Sequence, residues 1–357
     1  MLFLEKRGDV SKTASMLNPI LSVALALIIG GVFLTLTGRN PFEVYSSMFE
    51  GAFGTMYGLS ETVVKAIPLL LCGLGVSIAF RMQLWNIGAE GQFYFGAVAA
   101  TWVALYHGEG SRLAVLSLMF VAGFVAGGLW GLIPAIPRAV FKVNETITTL
   151  MLNYVAILFA NYLVYGPWKD PQGYNFPLTA MFSASATLPS IGNTRIHWGL
   201  FFGIIAAVIL YIVIWHTKWG YEIRVIGESP VAARYAGMSI VKNILLVMFI
   251  SGGLAGLAGM AEVSGISQRL QPNMSPGYGY TAIIVAWLAR LNPFAMIGVS
   301  FLLGGLLVGG FTMQTSGLPA AIVSMLQGAI LFFVLGGEIF TKYRIRMDDK
   351  RARKVVT

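Results

Sequence analysis

The sequence predicts an all-α polytopic membrane bundle of about ten transmembrane helices, and three observations lead there. Of the 357 residues, 57% are hydrophobic and 11% charged, with a mean hydropathy of +0.75, so a water-soluble fold would leave too much apolar surface uncovered. The apolar residues fall in long uncharged runs, and about 20 helical residues cross roughly 30 Å of hydrocarbon while satisfying their own backbone. The Lys and Arg residues behind the net charge of +9 sit between these runs. They form neither a basic amphipathic face nor a basic series interleaved with aromatics, so nucleic acid is not an expected partner.

Seven spans are uncharged throughout: 20–37, 113–134, 147–165, 198–215, 244–261, 294–313 and 318–337. Three are shorter or interrupted: 66–80, 87–105, which is broken by glycines and carries Glu90, and 278–289. With the N-terminus inside, ten spans leave eighteen Lys and Arg residues in the cytoplasm and six outside: Arg39, Lys65, Arg112, Lys169, Arg195 and Arg269. Adding or dropping one helix scatters this asymmetry, so both ends are expected inside. The chain then divides into a cytoplasmic N-terminus (1–17), a helical bundle (18–338) and a basic cytoplasmic tail (339–357). The bundle includes an outer loop, 166–197, and a cytoplasmic loop, 216–243. The first run is too long for a signal-peptide core and ends Leu34-Thr35-Leu36-Thr37-Gly38-Arg39 without a small-x-small site, so it is expected to stay as an anchor.

The cytoplasmic loop separates helices two to five from helices seven to ten. The second helix of each quartet is the interrupted one, and the quartets start in opposite directions, which suggests an inverted repeat. Gly88-Ala89-Glu90-Gly91-Gln92 lies beside Gly277-Tyr278-Gly279-Tyr280-Thr281 in that alignment, with slight similarity. Transporters place a central pathway at such broken helices. Gly123, Gly127 and Gly131, and Gly252 with Gly256, recur at four-residue spacing and allow close helix approach.

Glu90 is the one carboxylate well inside a predicted span, where an ionised group must be solvated or paired. Asn86, Glu90 and Gln92 could supply hydrogen bonds along a pathway; equally, Glu90 could cap the amides of a broken helix. Thr148 and Asn153 lie in the fifth helix and should turn to the bundle interior, lining a path or bonding a neighbour. Asn144 and Glu145 open that helix as cap and first-turn acid. Glu262 and Glu338, near span ends, are expected to be solvated. The lone cysteine, Cys72, is read as packing. His107, His197 and His216 lie apart with no metal-ligand spacing, no Ser/His/Asp arrangement emerges, and no Gly-x-x-x-x-Gly-Lys-Ser/Thr loop is present. Hence neither a catalytic centre nor a metal site is expected.

The cytoplasmic loop contains Gly227-Glu228-Ser229-Pro230-Val231-Ala232-Ala233-Arg234-Tyr235-Ala236-Gly237-Met238. Ser229 suits the N-cap, Pro230 the first helical position and Gly237 a left-handed ending, which gives about two turns of helix. Too short to span, it would lie on the cytoplasmic face. Ala232, Ala233 and Ala236 would make a small-residue surface for a partner, or the segment is an ordinary amphipathic connector.

This run resembles the coupling loop of ABC importer permeases in the branched-chain amino acid, sugar and nucleoside permease family. Leu84-Trp85-Asn86-Ile87-Gly88-Ala89-Glu90-Gly91-Gln92 and Asn144-Glu145-Thr146-Ile147-Thr148-Thr149-Leu150-Met151-Leu152-Asn153-Tyr154 are similar to it too. Together with Gly166-Pro167-Trp168-Lys169-Asp170-Pro171, they look closest to the nucleoside or simple-sugar branch over residues 60–340. Ser229 departs from the Asn common before this Pro, but both residues cap.

The resemblance implies a pore-forming subunit in a bacterial inner membrane whose coupling helix docks on an ABC ATPase subunit, which alone holds ATP and Mg. It also implies a second permease subunit, homologous or identical, and an extracytoplasmic solute-binding protein. The expected solute is a neutral polar one, nucleosides before a simple sugar. The alternative is an ion-coupled secondary transporter or channel, which would need more intramembrane coupling groups than Glu90 alone.

Overall fold

The computed structural model describes residues 2–6, 12–315, 317, 319 and 321–347, and burial only for part of the terminal segments. Residues 348–357 of the basic tail and the Glu338 side chain lie outside what is described. Thirteen α-helices are present among the described residues. They are α1 (Lys12–Leu36), α2 (Pro41–Phe53), α3 (Met56–Arg81), α4 (Ala89–Tyr106), α5 (Arg112–Phe141), α6 (Glu145–Tyr165), α7 (Gly199–His216), α8 (Lys218–Glu228), α9 (Pro230–Tyr235), α10 (Ile240–Glu262), α11 (Tyr278–Leu288), α12 (Pro293–Thr315) and α13 (Ala321–Lys342). Each of the ten expected spans overlaps one of them. The sequence reading missed α2 and the first ten residues of α3, where Glu61 and Lys65 look like loop chemistry until the helix is seen to start at an N-cap, Thr55. It also missed one strand pair: β1 (Leu2–Lys6) and β2 (Tyr343–Met347) run antiparallel.

Seven helices among the described residues are long and apolar enough to cross a membrane: those in α1, α3, α5, α6, α7, α10 and α12. α11 has 11 residues, about 16 Å of helix, roughly half the hydrocarbon thickness.

The chain forms two compact units. One combines residues 1–46 with residues 313–357; in it α1 packs on α13, the Ser22 hydroxyl donates to the Phe333 carbonyl at 3.0 Å, and the strand pair joins the two chain ends. The other, residues 47–312, holds every candidate site residue.

In this larger unit α3 and α10 are the central helices, with 89% and 78% of their apolar windows buried, whereas α5, α6 and α7 bury 28–33% and turn the rest outward. Such outward apolar faces suit lipid. Glycine sets how closely the central helices pack. A Cβ on Gly127 of α5 would strike the backbone of Gly252 and Gly256 on α10, and one on Gly75 of α3 would strike the Ser251 carbonyl. Lacking Cβ atoms, these backbones come together in the manner of small-residue helix contacts. Cys72 is fully buried in α3.

Candidate functional site

The break before α4 is built from side-chain amides. Backbone that leaves helical bonding inside an apolar bundle needs other partners. Asn86 and Gln92 exchange amide hydrogen bonds at 3.0 and 3.1 Å, and the Asn86 amide also donates to the Ser251 hydroxyl at 2.8 Å. Asn86 Oδ1 accepts the Gly88 N–H at 3.0 Å. Asn153 of α6 completes the joint: its Oδ1 accepts the Gly91 N–H at 2.8 Å, and its amide donates to the Ile87 carbonyl at 2.9 Å and the Tyr280 hydroxyl at 3.2 Å. Asn86, Gln92 and Asn153 are all fully buried. Thr148 does not join them; its hydroxyl bonds the carbonyls of Asn144 and Glu145 in its own helix.

Glu90 reaches across to the second short helix. Its Oε2 accepts the Gly279 N–H at 2.6 Å, so it caps the start of α11 rather than of its own helix, where an acid is favoured. Gly279 sits against the backbone of Ala89 and Glu90, with no room for a Cβ. The chain enters α11 through Gly277 at φ +94°, and the Ser275 hydroxyl accepts the Gly277 and Tyr278 N–H groups at 3.1 and 3.0 Å.

Toward the face that carries residues 166–197, a charged cluster joins α3, α10 and α11, and sequence reading did not find it. Lys65 Nζ donates to the Tyr278 hydroxyl at 2.9 Å and lies 3.8 Å from Glu262 Oε1. Glu262, expected at a wet interface, is instead 3% exposed, and its Oε2 has no hydrogen-bond partner among the described residues. Lys65, counted as a loop residue, is inside α3. One turn before it, Glu61 accepts two hydrogen bonds from Arg195, at 3.1 and 3.2 Å. The four-residue spacing of Glu61 and Lys65, just before an apolar run, was the available signal. Nearby His197 is buried, and burial, with the Arg195 charge second, lowers its pKa from 6.5 to about 4.

At the opposite end, Glu145 accepts the Trp85 N–H at 3.2 Å and pairs with Arg138 at 3.1 Å, tying the first turn of α6 to the end of α5. Asn144 caps α6 by accepting the N–H groups of Thr146 and Ile147. Arg138 also lines a groove of about 580 Å³ with Lys142, Pro230, Val231, Arg234 and Tyr235. Its wall is the 227–238 segment, which folds as its residue types require: Ser229 accepts the Ala232 N–H at 3.2 Å, Pro230 opens α9, and Gly237 ends it at φ +76°. The Met238 N–H closes the turn on the Ala233 carbonyl at 3.0 Å.

The alanine surface needs correction. Ala232 and Ala236 are exposed, but Ala233 is fully buried against the bundle. What α9 displays instead is Val231, Arg234 and Tyr235, the last 91% exposed, with Glu228 exposed just before it. Gly227 is buried on the Arg81 carbonyl at the end of α3, so the loop is seated directly on a central helix. Arg81 and Arg224 each lie over the Trp215 ring, at 5.2 and 5.1 Å.

Polar and charged groups thus recur from one end of this unit to the other. They run from Arg195 and Glu61 through Lys65, Tyr278, Glu90 and the Asn86/Gln92/Asn153 joint to Glu145 and Arg138 beside α9. Residues 58–335 match the model of the family described as branched-chain amino acid transport system, permease component. The chain belongs to this family. It is thus an ABC transporter permease component, a non-catalytic multi-pass transport subunit, and the reading as an ion-coupled carrier is set aside. The permease is 38% identical to the glucose ABC transporter permease protein TsgB13 of Haloferax volcanii, over 96% of this chain and 93% of the relative. It is 35% identical to the guanosine ABC transporter permease protein NupP of Bacillus subtilis, over 97% and 99%. It is 31% identical to the nucleoside ABC transporter permease protein NupB of Lactococcus lactis subsp. cremoris, over 91% and 92%.

Proposed function

We propose that this permease forms, with a second permease copy or homologue, the translocation pathway of an ATP-driven importer in a bacterial inner membrane. Its solute would be a nucleoside before a simple sugar. The observation that carries the reading is the pre-capped α9, seated through Gly227 on the central helix α3 and presenting Val231, Arg234 and Tyr235 outward. Residues Gly227 to Met238 would dock in a cleft of the partner ATPase, which holds ATP and Mg and moves α3 through this seat. A solute-binding protein would deliver from the face bearing residues 166–197. Nucleosides are favoured by two of the three relatives above, both at or above 31% identity, and glucose by the third.

Ten crossings with both ends in the cytoplasm fit the permease best, and the contact pattern supports the inverted repeat. α11 packs on α3 as α4 packs on α10, and Gly304 of α12 meets α3 as Gly127 of α5 meets α10. The pair on the proposed axis, Glu90 and Gly279, occupies equivalent positions in the two quartets. Asn86, Glu90, Gln92 and Asn153 would then border the pathway by holding its two broken helices together; Thr148 has no such contact.

Reconstitution with the candidate ATPase and binding protein, followed by uptake of labelled guanosine and glucose, tests the reading. Uptake should require ATP and favour guanosine. Gradient-driven uptake by this chain alone would refute it.

A further inference from the structure

Lys65, Glu262 and Tyr278 carry more polar capacity than they use on one another. An ionised carboxylate only accepts hydrogen bonds, and an ammonium only donates, three of them. Glu262 Oε2 is buried and receives none from the described residues, and Oε1 stands 3.8 Å from Lys65 Nζ, beyond hydrogen-bond length. Lys65 spends one N–H on the Tyr278 hydroxyl. A buried ion pair kept only for stability is held by close, fully hydrogen-bonded geometry. This one is longer than a hydrogen bond, with Lys65 keeping 17% of its side chain accessible and Glu262 4%.

We infer that Lys65 and Glu262 form a subsite for a vicinal diol of the transported solute, one hydroxyl donating to Glu262 Oε2 and the neighbouring oxygen accepting from Lys65 Nζ, with Tyr278 fixing the ammonium. The inference rests on the import reading above and adds the group recognised: adjacent hydroxyls are what a ribonucleoside and a hexose have in common. A carboxylate beside an ammonium suits such a neutral group, since the pair cancels its own charge. A site built to bond a hydroxyl discriminates against analogues that lack it, because its own groups are then left unpaired.

The test is ATP-driven uptake by the full reconstituted complex, comparing guanosine with 2′,3′-dideoxyguanosine and glucose with 2,4-dideoxyglucose, each analogue lacking every vicinal diol. The binding protein is common to every assay, so the change from wild type to variant isolates the permease. Glu262→Gln should lower the preference for the diol-bearing solute over its deoxy analogue roughly tenfold to a hundredfold. Tyr278→Phe, which keeps the ring and frees the ammonium, should erode the same preference and covers the case in which Glu262→Gln does not assemble. Equal losses for both members of each pair, or an unchanged preference in assembled variants, would overturn the subsite alone. A wild-type complex that takes up neither solute with ATP would overturn the import reading and the subsite together.

Discussion

At the scale of single residues, the two short helices meet at one hydrogen bond and one missing Cβ. Glu90→Ala leaves the buried Gly279 N–H without its acceptor, a loss of about 1–3 kcal/mol, whereas Glu90→Gln keeps a carbonyl in reach and should cost less. Thermal melting of the detergent-solubilised permease ranks them; equal melting of both variants and wild type would refute the cap. Gly279→Ala drives a methyl into the Glu90 backbone and should abolish assembly, because neither helix start can move without breaking its own caps. His197 makes stability depend on pH. Its folded pKa of about 4 lies below the ordinary 6.5, so its contribution is whole above pH 6.5 and is lost as the pH falls toward 4. The limit is about 3 kcal/mol. His197→Asn, which retains an acceptor for the Gly199 N–H now bonded to Nδ1, should narrow the melting gap between pH 7 and pH 4.5. An equally wide gap would show that other groups set it.

At the scale of elements, α9 separates side chains that are exposed from those that hold the loop. Val231→Asp and Tyr235→Ala change exposed side chains and should lose ATPase co-purification at an unchanged melting temperature. Ala233→Arg pushes a charge into a fully buried position, and Gly237→Val forces a branched residue to φ +76°; both should lower the melting temperature as well. Retained co-purification with Tyr235→Ala would remove this surface from the interface. The contrast also explains what was legible in the sequence. Ser229, Pro230 and Gly237 act within two turns of themselves, so caps and ending could be read from residue type, as could Asn144 before α6. Which alanine faces inward depends on the seat of Gly227 on α3, which no local pattern encodes. Lys65, Glu262 and Tyr278 belong to three helices and meet only after packing, and a charge next to an apolar run looks like a loop until its partner is known. Glu90 was legible as anomalous because it interrupts a span, but its partner lies 189 positions away.

At the scale of the whole molecule, Leu2–Lys6 and Tyr343–Met347 pair in one antiparallel ladder, which the proposed arrangement keeps on one side of the membrane. That requires an even number of crossings. The seven long apolar helices are an odd number, so α4, α11 and α13 must change the count by an odd amount. In the proposed ten-crossing arrangement all three cross. That arrangement puts the basic residues of α8 and α9 on the cytoplasmic side, where Lys and Arg are retained. A single crossing, α7, then lies between Tyr174 and Tyr235, which are 93% and 91% exposed. Because Cys72 is the sole cysteine and is fully buried, a Cys72→Ala background should be silent to thiol reagents and keep the fold. In intact cells, a membrane-impermeant maleimide should label Tyr174→Cys, and should label Tyr235→Cys only after the membrane is opened. Labelling of both from the outside would place an even number of crossings between them, and the ten-crossing arrangement, with α9 on the ATPase side, would fall with it.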